Sequence, residues 1–194
     1  MKDDLSFALF DTAIGYCAIV WNSRGVAGVR FPEANEQATR KRIAQRHPSA
    51  REAQPSAQIA SVIDDIVALL RGERRDLRNV AIDTDGIPDF NRRVYEIARS
   101  IPPGSTLSYG EIAERLGDRT LARDVGQALG ENSIPIIVPC HRVLAAGGKT
   151  GGFSAPGGVA AKLRLLSIEG AQPGGPTLFD KLPLAVNPQS RKSA

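Results

Sequence analysis

A polar break near the middle of the chain constrains its fold more than any other feature. Asp83–Pro88 is polar, contains Gly86 and ends in proline, and it separates two stretches with different apolar patterns. Glycine and proline interrupt regular structure through their unusual backbone requirements. We therefore predict two folded segments, residues 1–85 and residues 86–172, followed by a proline-rich tail over residues 173–194.

The first segment has the pattern of a small α/β unit. Its predicted strands, rich in β-branched and aromatic residues, are Phe7–Asp11, Ile14–Val20, Val26–Phe31 and Leu77–Ile82. Asn35 is expected to cap a polar helix. Apolar residues recur at helical spacing between Ile59 and Leu70, which predicts a second helix.

The second segment is predicted to be mostly helical at first. After a helix from Phe90 to Ile101, Ser108 and Glu111 form the Ser-x-x-Glu pattern of a capping box. The helix that they open is followed by a turn and by a second helix, Leu121–Leu129. Two short helices around a tight turn fit a helix-turn-helix, which binds DNA, but the same pattern also forms plain helical core.

Composition excludes several classes of protein. Two cysteines are too few for a disulfide scaffold, and two histidines beside them leave almost no material for zinc. No apolar run approaches the roughly 20 residues of a membrane span, and the N-terminus lacks a secretory pattern. We expect a cytoplasmic protein.

The net charge of +4 lies in the second half of the chain, which is weak support for nucleic acid as a partner.

Cys140 is the strongest candidate for chemistry. A thiol becomes nucleophilic as thiolate, and the adjacent His141 could accept its proton. The alternative is a buried cysteine beside a surface pair, His141 and Arg142. Cys17 lies within an apolar stretch and is interpreted as a small buried residue.

The chain resembles a known family around Cys140. The run Pro139–Val143, preceded by Asn132 and by Ile134–Ile136, resembles the active-site signature of the O6-alkylguanine-DNA alkyltransferases. The resemblance is dense from Phe90 to Gly170 and thinner in the first segment. It implies an α+β protein in which a ribonuclease H-like domain is followed by a winged-helix or helix-turn-helix domain. It also implies that no cofactor or metal is needed.

The resemblance implies a reaction that consumes the protein. Cys140 would take the alkyl group from O6-alkylguanine in DNA, and also from O4-methylthymine, and keep it as a thioether. His141 would accept the thiol proton and Glu169 would polarise His141. Asn132 would hold the turn that seats an active-site strand.

The same resemblance implies how the damaged base is recognised. Tyr109 would donate a hydrogen bond to guanine N3, and Ser154 would donate to O6. The carbonyl groups of Cys140 and Val143 would accept from the guanine amino group. Phe153, where some relatives have tyrosine, would shape the pocket for the alkyl group.

The resemblance further implies a double-stranded DNA partner that carries O6-alkylguanine, no membrane and no obligate protein partner, and we expect a monomer. The helix Leu121–Leu129 would enter the minor groove. Arg123 would fill the gap left by the flipped base, while Ala122 and Gly126 would allow close approach. Ser108 would also contact DNA.

The chain departs from the family pattern at several positions, and three alternatives remain. Ser133 stands where proline is usual, and Ala155–Pro156 lengthens the glycine-rich loop. A non-catalytic alkyltransferase-like protein would flag lesions without repairing them, but such proteins lack the cysteine that is present here. A transcription factor would need a dimer interface, and a hydrolase built on Cys140 would turn over repeatedly.

Overall fold

A computed structural model describes residues 4–171, so the predicted tail lies outside the described residues. The fold is mixed α+β. Its first half consists, in chain order, of β1 (Ser6–Phe10), β2 (Cys17–Asn22), β3 (Gly25–Arg30), α1 (Glu36–Arg46), β4 (Arg51–Glu52) and α2 (Ala57–Leu70). Its second half consists of α3 (Asp89–Arg99), β5 (Leu107–Ser108), α4 (Tyr109–Arg115), α5 (Ala122–Gly130), β6 (Val143–Leu144) and α6 (Gly158–Ile168).

The first half is built on a four-stranded sheet of order β3-β2-β1-β4, in which β4 alone runs parallel to its neighbour. The central strand β2 is buried on both faces, which explains its continuous apolar sequence. Val20 packs with Ile43 of α1 on one face, whereas Ile19 joins the main core on the other. Successive side chains of a strand point to opposite faces of the sheet, so Val20 faces α1 and Ile19 faces the main core.

The sequence predicted that the second strand begins at Ile14, but β2 begins at Cys17. The Thr12 hydroxyl accepts from the backbone N–H of Ile14 and donates to the carbonyl of Gly15. These local bonds form a turn, so the chain becomes extended only afterwards.

The predicted strand Leu77–Ile82 is wrong, because only Ile82 pairs with another chain segment, in a single bridge to Val26. The chain crosses β3 closely at this point. Gly25 has a φ of +139°, and a Cβ there would lie 2.5 Å from the carbonyl oxygen of Ala81. This close approach thus requires glycine at position 25.

The second half positions two helices against the core through α3. The Tyr95 hydroxyl donates to the carbonyl of Ala128 on α5 at 3.1 Å, in a buried contact. The predicted capping box is confirmed, since Ser108 accepts from the Glu111 N–H and Glu111 accepts from the Ser108 N–H. Among the described residues, the main cluster of buried apolar side chains extends from Ala8 to Leu165 and runs through both halves.

Within residues 4–171, none of the helices combines the length and the apolar character that crossing a bilayer requires.

Candidate active site

Cys140 lies in a 3-10 turn over Cys140–Arg142. The preceding stretch, Ile134–Val138, is a compact turn, in which Ile136 has a φ of 75°. That backbone region is strained for a β-branched residue, and it persists where surrounding contacts enforce it. The active-site strand that the resemblance implied is therefore not formed here, and the chain reaches Cys140 through consecutive turns.

Asn132 is the side chain that holds this turn together. Its amide donates to the carbonyl of Val138 at 2.8 Å, while its oxygen accepts from the Ile134 N–H at 2.9 Å. Both halves of the amide are thus used within the turn. The backbone of the next residue, Ser133, accepts from the Val29 N–H at 3.0 Å, so the sheet of the first half also supports the turn.

The Cys140 side chain is nearly buried, with 9% of the residue exposed. Burial raises the pKa of the thiol, although the Asn132 side chain, the Lys162 ammonium and the backbone N–H groups of Cys140 and His141 act to lower it. The thiol is therefore protonated at rest and needs a base. The groups that oppose the shift would stabilise the thiolate once it forms.

His141 and Arg142 are both buried and share one carboxylate. His141 Nε2 lies 3.0 Å from Oε1 of Glu169. Arg142 donates to the same carboxylate twice, from Nε to Oε2 at 2.9 Å and from Nη2 to Oε1 at 2.8 Å. Its remaining nitrogen, Nη1, donates to the carbonyl of Ile101 at 2.6 Å. The surface His-Arg pair of the alternative interpretation is thus excluded.

These contacts determine where the proton of His141 lies. Burial favours a neutral carboxyl at Glu169, but the hydrogen bonds from His141 and Arg142 prevail and lower its pKa to about 2. Since the ionised carboxylate can only accept, we assign the ring hydrogen of His141 to Nε2. Burial also lowers the pKa of His141, which keeps the ring neutral.

The other ring nitrogen of His141 is then an unprotonated base. Nδ1 is buried and has no hydrogen-bond partner among the described residues. A buried acceptor without a partner is costly, and such atoms are commonly satisfied by an ordered water or used in catalysis. Nδ1 is therefore available to take a proton from Cys140, directly or through a water.

Lys162 is a fully buried cation beside this site. Its Nζ donates to the carbonyl of Val143 at 2.6 Å and lies 5.8 Å from the centre of the Tyr109 ring. Burial lowers the pKa of Lys162 to about 8, whereas a negative charge on Cys140 raises it. The cation and a thiolate at Cys140 would stabilise each other.

A cleft of about 580 Å³ opens from Cys140 toward α5. It brings together most of the predicted base- and DNA-contacting side chains: Tyr109, Ala122, Arg123, Gly126, Phe153 and Ser154. Burial raises the pKa of Tyr109, so its hydroxyl stays protonated and can donate. The cleft therefore joins a nucleophile, hydroxyl donors and an exposed guanidinium.

The chain is similar to characterised proteins in sequence and in fold. Residues 89–171 match the family model described as 6-O-methylguanine DNA methyltransferase, DNA binding domain. The chain is also 34% identical, over 152 residues, to the methylated-DNA–protein-cysteine methyltransferase of Methanothermobacter thermautotrophicus, and the match covers 78% of each chain. The chain belongs to this methyltransferase family.

Other members of the methyltransferase family are similar in sequence and fold. The Mycobacterium tuberculosis methyltransferase is 43% identical over 122 residues, which cover 62% of this chain and 72% of the relative. A crystal structure of M. tuberculosis OGT in complex with DNA superposes with a TM-score of 0.69 at 33% identity, covering 85% of this chain and 92% of that one. The Pyrococcus kodakaraensis O6-methylguanine-DNA methyltransferase gives a TM-score of 0.65 at 28% identity, covering 86% and 99%.

Five of the residues selected from the methyltransferase resemblance lie outside the cleft lining, and Asn132 in the turn before Cys140 is one of them. His141 and Glu169 lie behind Cys140 as a hydrogen-bonded pair. Ser108 uses its hydroxyl to accept from the Glu111 N–H, so its contact in the described structure is a helix cap. Val143 contributes through its carbonyl, which already accepts from Lys162 and keeps one lone pair free.

Sequence reasoning assigned no role to Arg142 or Lys162. A signal for Lys162 was present, because it precedes Leu165 and Leu166 by three and four residues and so shares their buried face of α6. Nothing local to Arg142 indicates its partner, which is 27 residues away.

Cys17 matches its interpretation as a buried structural residue. It is fully buried, and burial raises its pKa to about 12. Its thiol lies 3.7 Å from the Thr12 hydroxyl. A thiol with so high a pKa is unreactive at neutral pH.

Proposed function

We propose that Cys140 is the residue that receives the alkyl group during repair. The chain is a methylated-DNA–protein-cysteine methyltransferase, which repairs DNA by alkyl transfer. The observation that supports Cys140 is the chain of contacts behind it, in which Glu169 orients a neutral His141 and leaves Nδ1 as an accepting base. No cofactor enters this scheme, because the lesion is itself the alkyl donor.

The proposed reaction is a displacement at the alkyl carbon. The thiol proton moves from Cys140 Sγ to His141 Nδ1, either directly or through a bridging water. The thiolate sulfur then bonds to the alkyl carbon, and the C–O6 bond breaks with its electron pair going to guanine. The positive charge on His141 is balanced by Glu169, as in other nucleophile–base–acid arrangements. The thioether that remains cannot be hydrolysed, so each chain reacts once.

We propose that the guanine, which is the leaving group, lies in the cleft that α5 borders. Tyr109 donates to guanine N3 and Ser154 donates to O6, where negative charge develops as the bond breaks. The carbonyls of Cys140 and Val143 accept from the guanine amino group. The same pocket would take O4-methylthymine. Phe153, which packs edge-to-face on Phe31 at 5.9 Å, walls the pocket on the side of the alkyl group.

Double-stranded DNA is the proposed form of the partner, bound through the minor groove by a monomer of the protein. Arg123 lies exposed on α5 and lines the cleft, so its guanidinium could fill the gap that a flipped base leaves. Extruding a base costs a few kcal/mol, and stacking by a planar guanidinium offsets part of that cost. Ala122 and Gly126, on the same helix, are small enough to admit the DNA backbone.

We further propose the finer description of the fold: a ribonuclease H-like unit over residues 1–85 and a winged-helix or helix-turn-helix unit over residues 86–172. The four-stranded sheet covered by α1 supports the first part of this description. The packing of α4 against α5, together with the short pair β5–β6, supports the second.

Mass spectrometry after incubation with excess O6-methylguanine duplex tests the proposed function. We expect one methyl group on the peptide that contains Cys140 and no further gain with time. A Cys140→Ala variant should lose transfer while it retains affinity for the methylated duplex. Repeated turnover without a modified peptide would instead indicate the hydrolase, and an unmodified protein that still binds DNA would indicate the lesion-binding alternative.

A further inference from the structure

Arg30, at the end of β3, is a half-buried cation that has no counterion among residues 4–171. Its Nε atom is buried and has no hydrogen-bond partner in that part of the chain. Glu33 and Glu131 line the same cavity as Arg30, but Glu33 pairs with Arg42 at 3.8 Å and Glu131 accepts from the Asn91 side chain at 2.9 Å. A half-buried charge without an ion pair is costly, which directs attention to the contacts that Arg30 does make.

The contacts of Arg30 connect two distant segments of the chain. Nη1 donates to the carbonyl of Ser133 at 3.4 Å and to that of Val29 at 3.3 Å. Nη2 lies 3.3 Å from Nε2 of His47, the residue that ends α1. Both partners lie over one glycine, since a Cβ built on Gly28 would be 3.5 Å from the Ser133 oxygen and 3.7 Å from His47 Nε2. The guanidinium thus bridges the end of α1 and the turn that precedes the nucleophile.

The contact with Arg30 determines the protonation state of His47. A guanidinium can only donate, so His47 Nε2 must accept, and we assign the ring hydrogen to Nδ1. The ring is therefore neutral. Burial lowers the pKa of His47, and the positive charges of Arg30 and Arg46 lower it further. A proton on Nε2 would remove the acceptor and place a second cation against Arg30.

The charged groups around this pair add to that repulsion. The charged side chains that line the cavity beside Arg30 are Arg42, Arg46, Glu33 and Glu131. Burial lowers the pKa of Arg30, and the cations of α1 lower it further. A protonated His47 would thus face positive charge from both β3 and α1, so we expect it to displace the Arg30 guanidinium.

The Ser133 carbonyl is the point at which Arg30 reaches the active site. The preceding residue, Asn132, donates to the carbonyl of Val138 at 2.8 Å, and the Cys140 N–H donates to the same carbonyl at 2.8 Å. The Asn132 side chain also lowers the pKa of the Cys140 thiol. Movement of Ser133 would therefore alter both the position of the thiol and the stability of its thiolate.

We propose that Arg30 is a positioning residue for Cys140, and that it holds the Ser133 carbonyl in place while His47 is neutral. The inference deepens the proposed function and rests on it for every measurement of alkyl transfer. It adds no step to the reaction, because Arg30 acts only through the turn that Asn132 holds. The first half of the chain would thus set the geometry and the acid sensitivity of the nucleophile.

The first test measures the Cys140 thiol in the absence of DNA, through the pH dependence of iodoacetamide alkylation. We expect Arg30→Gln to move the midpoint upward by about half a pH unit, and Arg30→Lys, which keeps the charge and a donor, to restore part of the shift. Two controls should leave the midpoint unchanged. Arg42→Gln removes a cation of the same cavity that does not contact Ser133, and Arg51→Gln removes an exposed one from β4, at the opposite edge of the sheet.

Two results of this titration would contradict the proposal. An equal shift in Arg42→Gln would attribute the effect to positive charge alone. An unmoved midpoint in Arg30→Gln would show that the thiol does not depend on Arg30.

Single-turnover methyl transfer by the same proteins measures the consequence for repair. Arg30→Gln should be about tenfold slower on an O6-methylguanine duplex and on free O6-benzylguanine alike, because the thiol itself is displaced. A loss confined to the duplex, with an unmoved thiol titration, would indicate that Arg30 binds DNA and would overturn the proposal. If the unaltered protein transferred no methyl group, the proposed function would fail, while the thiol titration would still test the role of Arg30.

His47→Gln tests the dependence on protonation. The glutamine oxygen can accept from Arg30 as Nε2 does, but it does not titrate. The transfer rate of His47→Gln relative to that of the unaltered protein should be near one at pH 8 and about three at pH 5, since His141 titrates alike in both. A ratio that stays constant with pH would remove His47 from the proposal. His47→Gln and Arg30→Lys both retain polar contacts, so the test remains decisive where Arg30→Gln does not fold.

Discussion

Arg142 holds Glu169 at two points in the protein interior, through Nε to Oε2 at 2.9 Å and through Nη2 to Oε1 at 2.8 Å. The carboxylate is thereby fixed in the plane of the guanidinium while Oε1 also faces His141 Nε2. Two-point contacts of this kind add geometric precision as well as energy. The orientation of His141, the proposed base, thus depends on a residue that need not touch the substrate.

We expect Arg142→Gln to slow methyl transfer by about tenfold, because the Glu169 carboxylate loses its fixed plane and His141 loses its orientation. The positive charge of Arg142 also lowers the pKa of His141. The acid limb of the rate profile should therefore move to higher pH in the variant. Single-turnover rates from pH 5 to pH 8 measure both effects. A uniform loss of rate with an unmoved acid limb would indicate a purely structural role.

We expect Lys162→Met to shift the titration of the Cys140 thiol to higher pH, because a neighbouring positive charge no longer favours the thiolate. Transfer should slow by about tenfold. The pH dependence of iodoacetamide alkylation measures the thiol, and Cys17 does not interfere because it is buried. Lys162→Arg, which keeps the charge, should restore part of the effect, while Lys149→Met in the exposed loop should have none.

We expect Arg123→Ala to slow repair of an O6-methylguanine duplex by about tenfold and reaction with free O6-benzylguanine by less than twofold. The reason is that only the duplex must extrude its base, at a cost of a few kcal/mol. Comparison of the two single-turnover rates isolates that step, with Arg75→Ala as a surface control. Equal losses on both substrates would assign Arg123 to the chemistry instead of to base flipping.

We expect the protein to lose stability in acid through Glu169. Its pKa is about 2 in the folded chain, against roughly 4.3 for an unperturbed glutamate, so the unfolded state binds the proton first. The stabilisation is complete above about pH 4.5 and is lost as the pH falls toward 2, amounting to roughly 3 kcal/mol. Urea unfolding at pH 5 and pH 3 measures the loss. Glu169→Gln should flatten this dependence, whereas the exposed Glu114→Gln should retain it.

Local sequence signals predicted much of the fold. The capping box of Ser108 and Glu111 is confirmed, and Asn35 caps α1 by accepting from the Ala38 N–H at 2.9 Å. These predictions succeed because both partners of each bond lie within one helical turn. The strand predicted at Leu77–Ile82 is wrong because its geometry depends on a remote segment, β3.

Predictions about the site also depend on whether the residues concerned are close together in the sequence. The order of residues around Cys140 was sufficient to predict a nucleophile and its base, and the resemblance predicted contacts to DNA from α5. It could not reveal that Arg42 and Arg46 line a cavity with Cys140, because nearly a hundred residues separate α1 from the thiol and only chain packing brings them together.

By itself, the sequence determined the family, because the run from Asn132 to Val143 is short and contiguous, and it predicted the chemistry at Cys140 through that resemblance. Only the tertiary structure decided the protonation states. Whether His141 is neutral, which of its nitrogens is free and why Glu169 stays ionised all depend on burial and on charges contributed from 27 and 28 residues away. Desolvation and Coulomb interactions act through space, and a sequence does not contain the distances that set them.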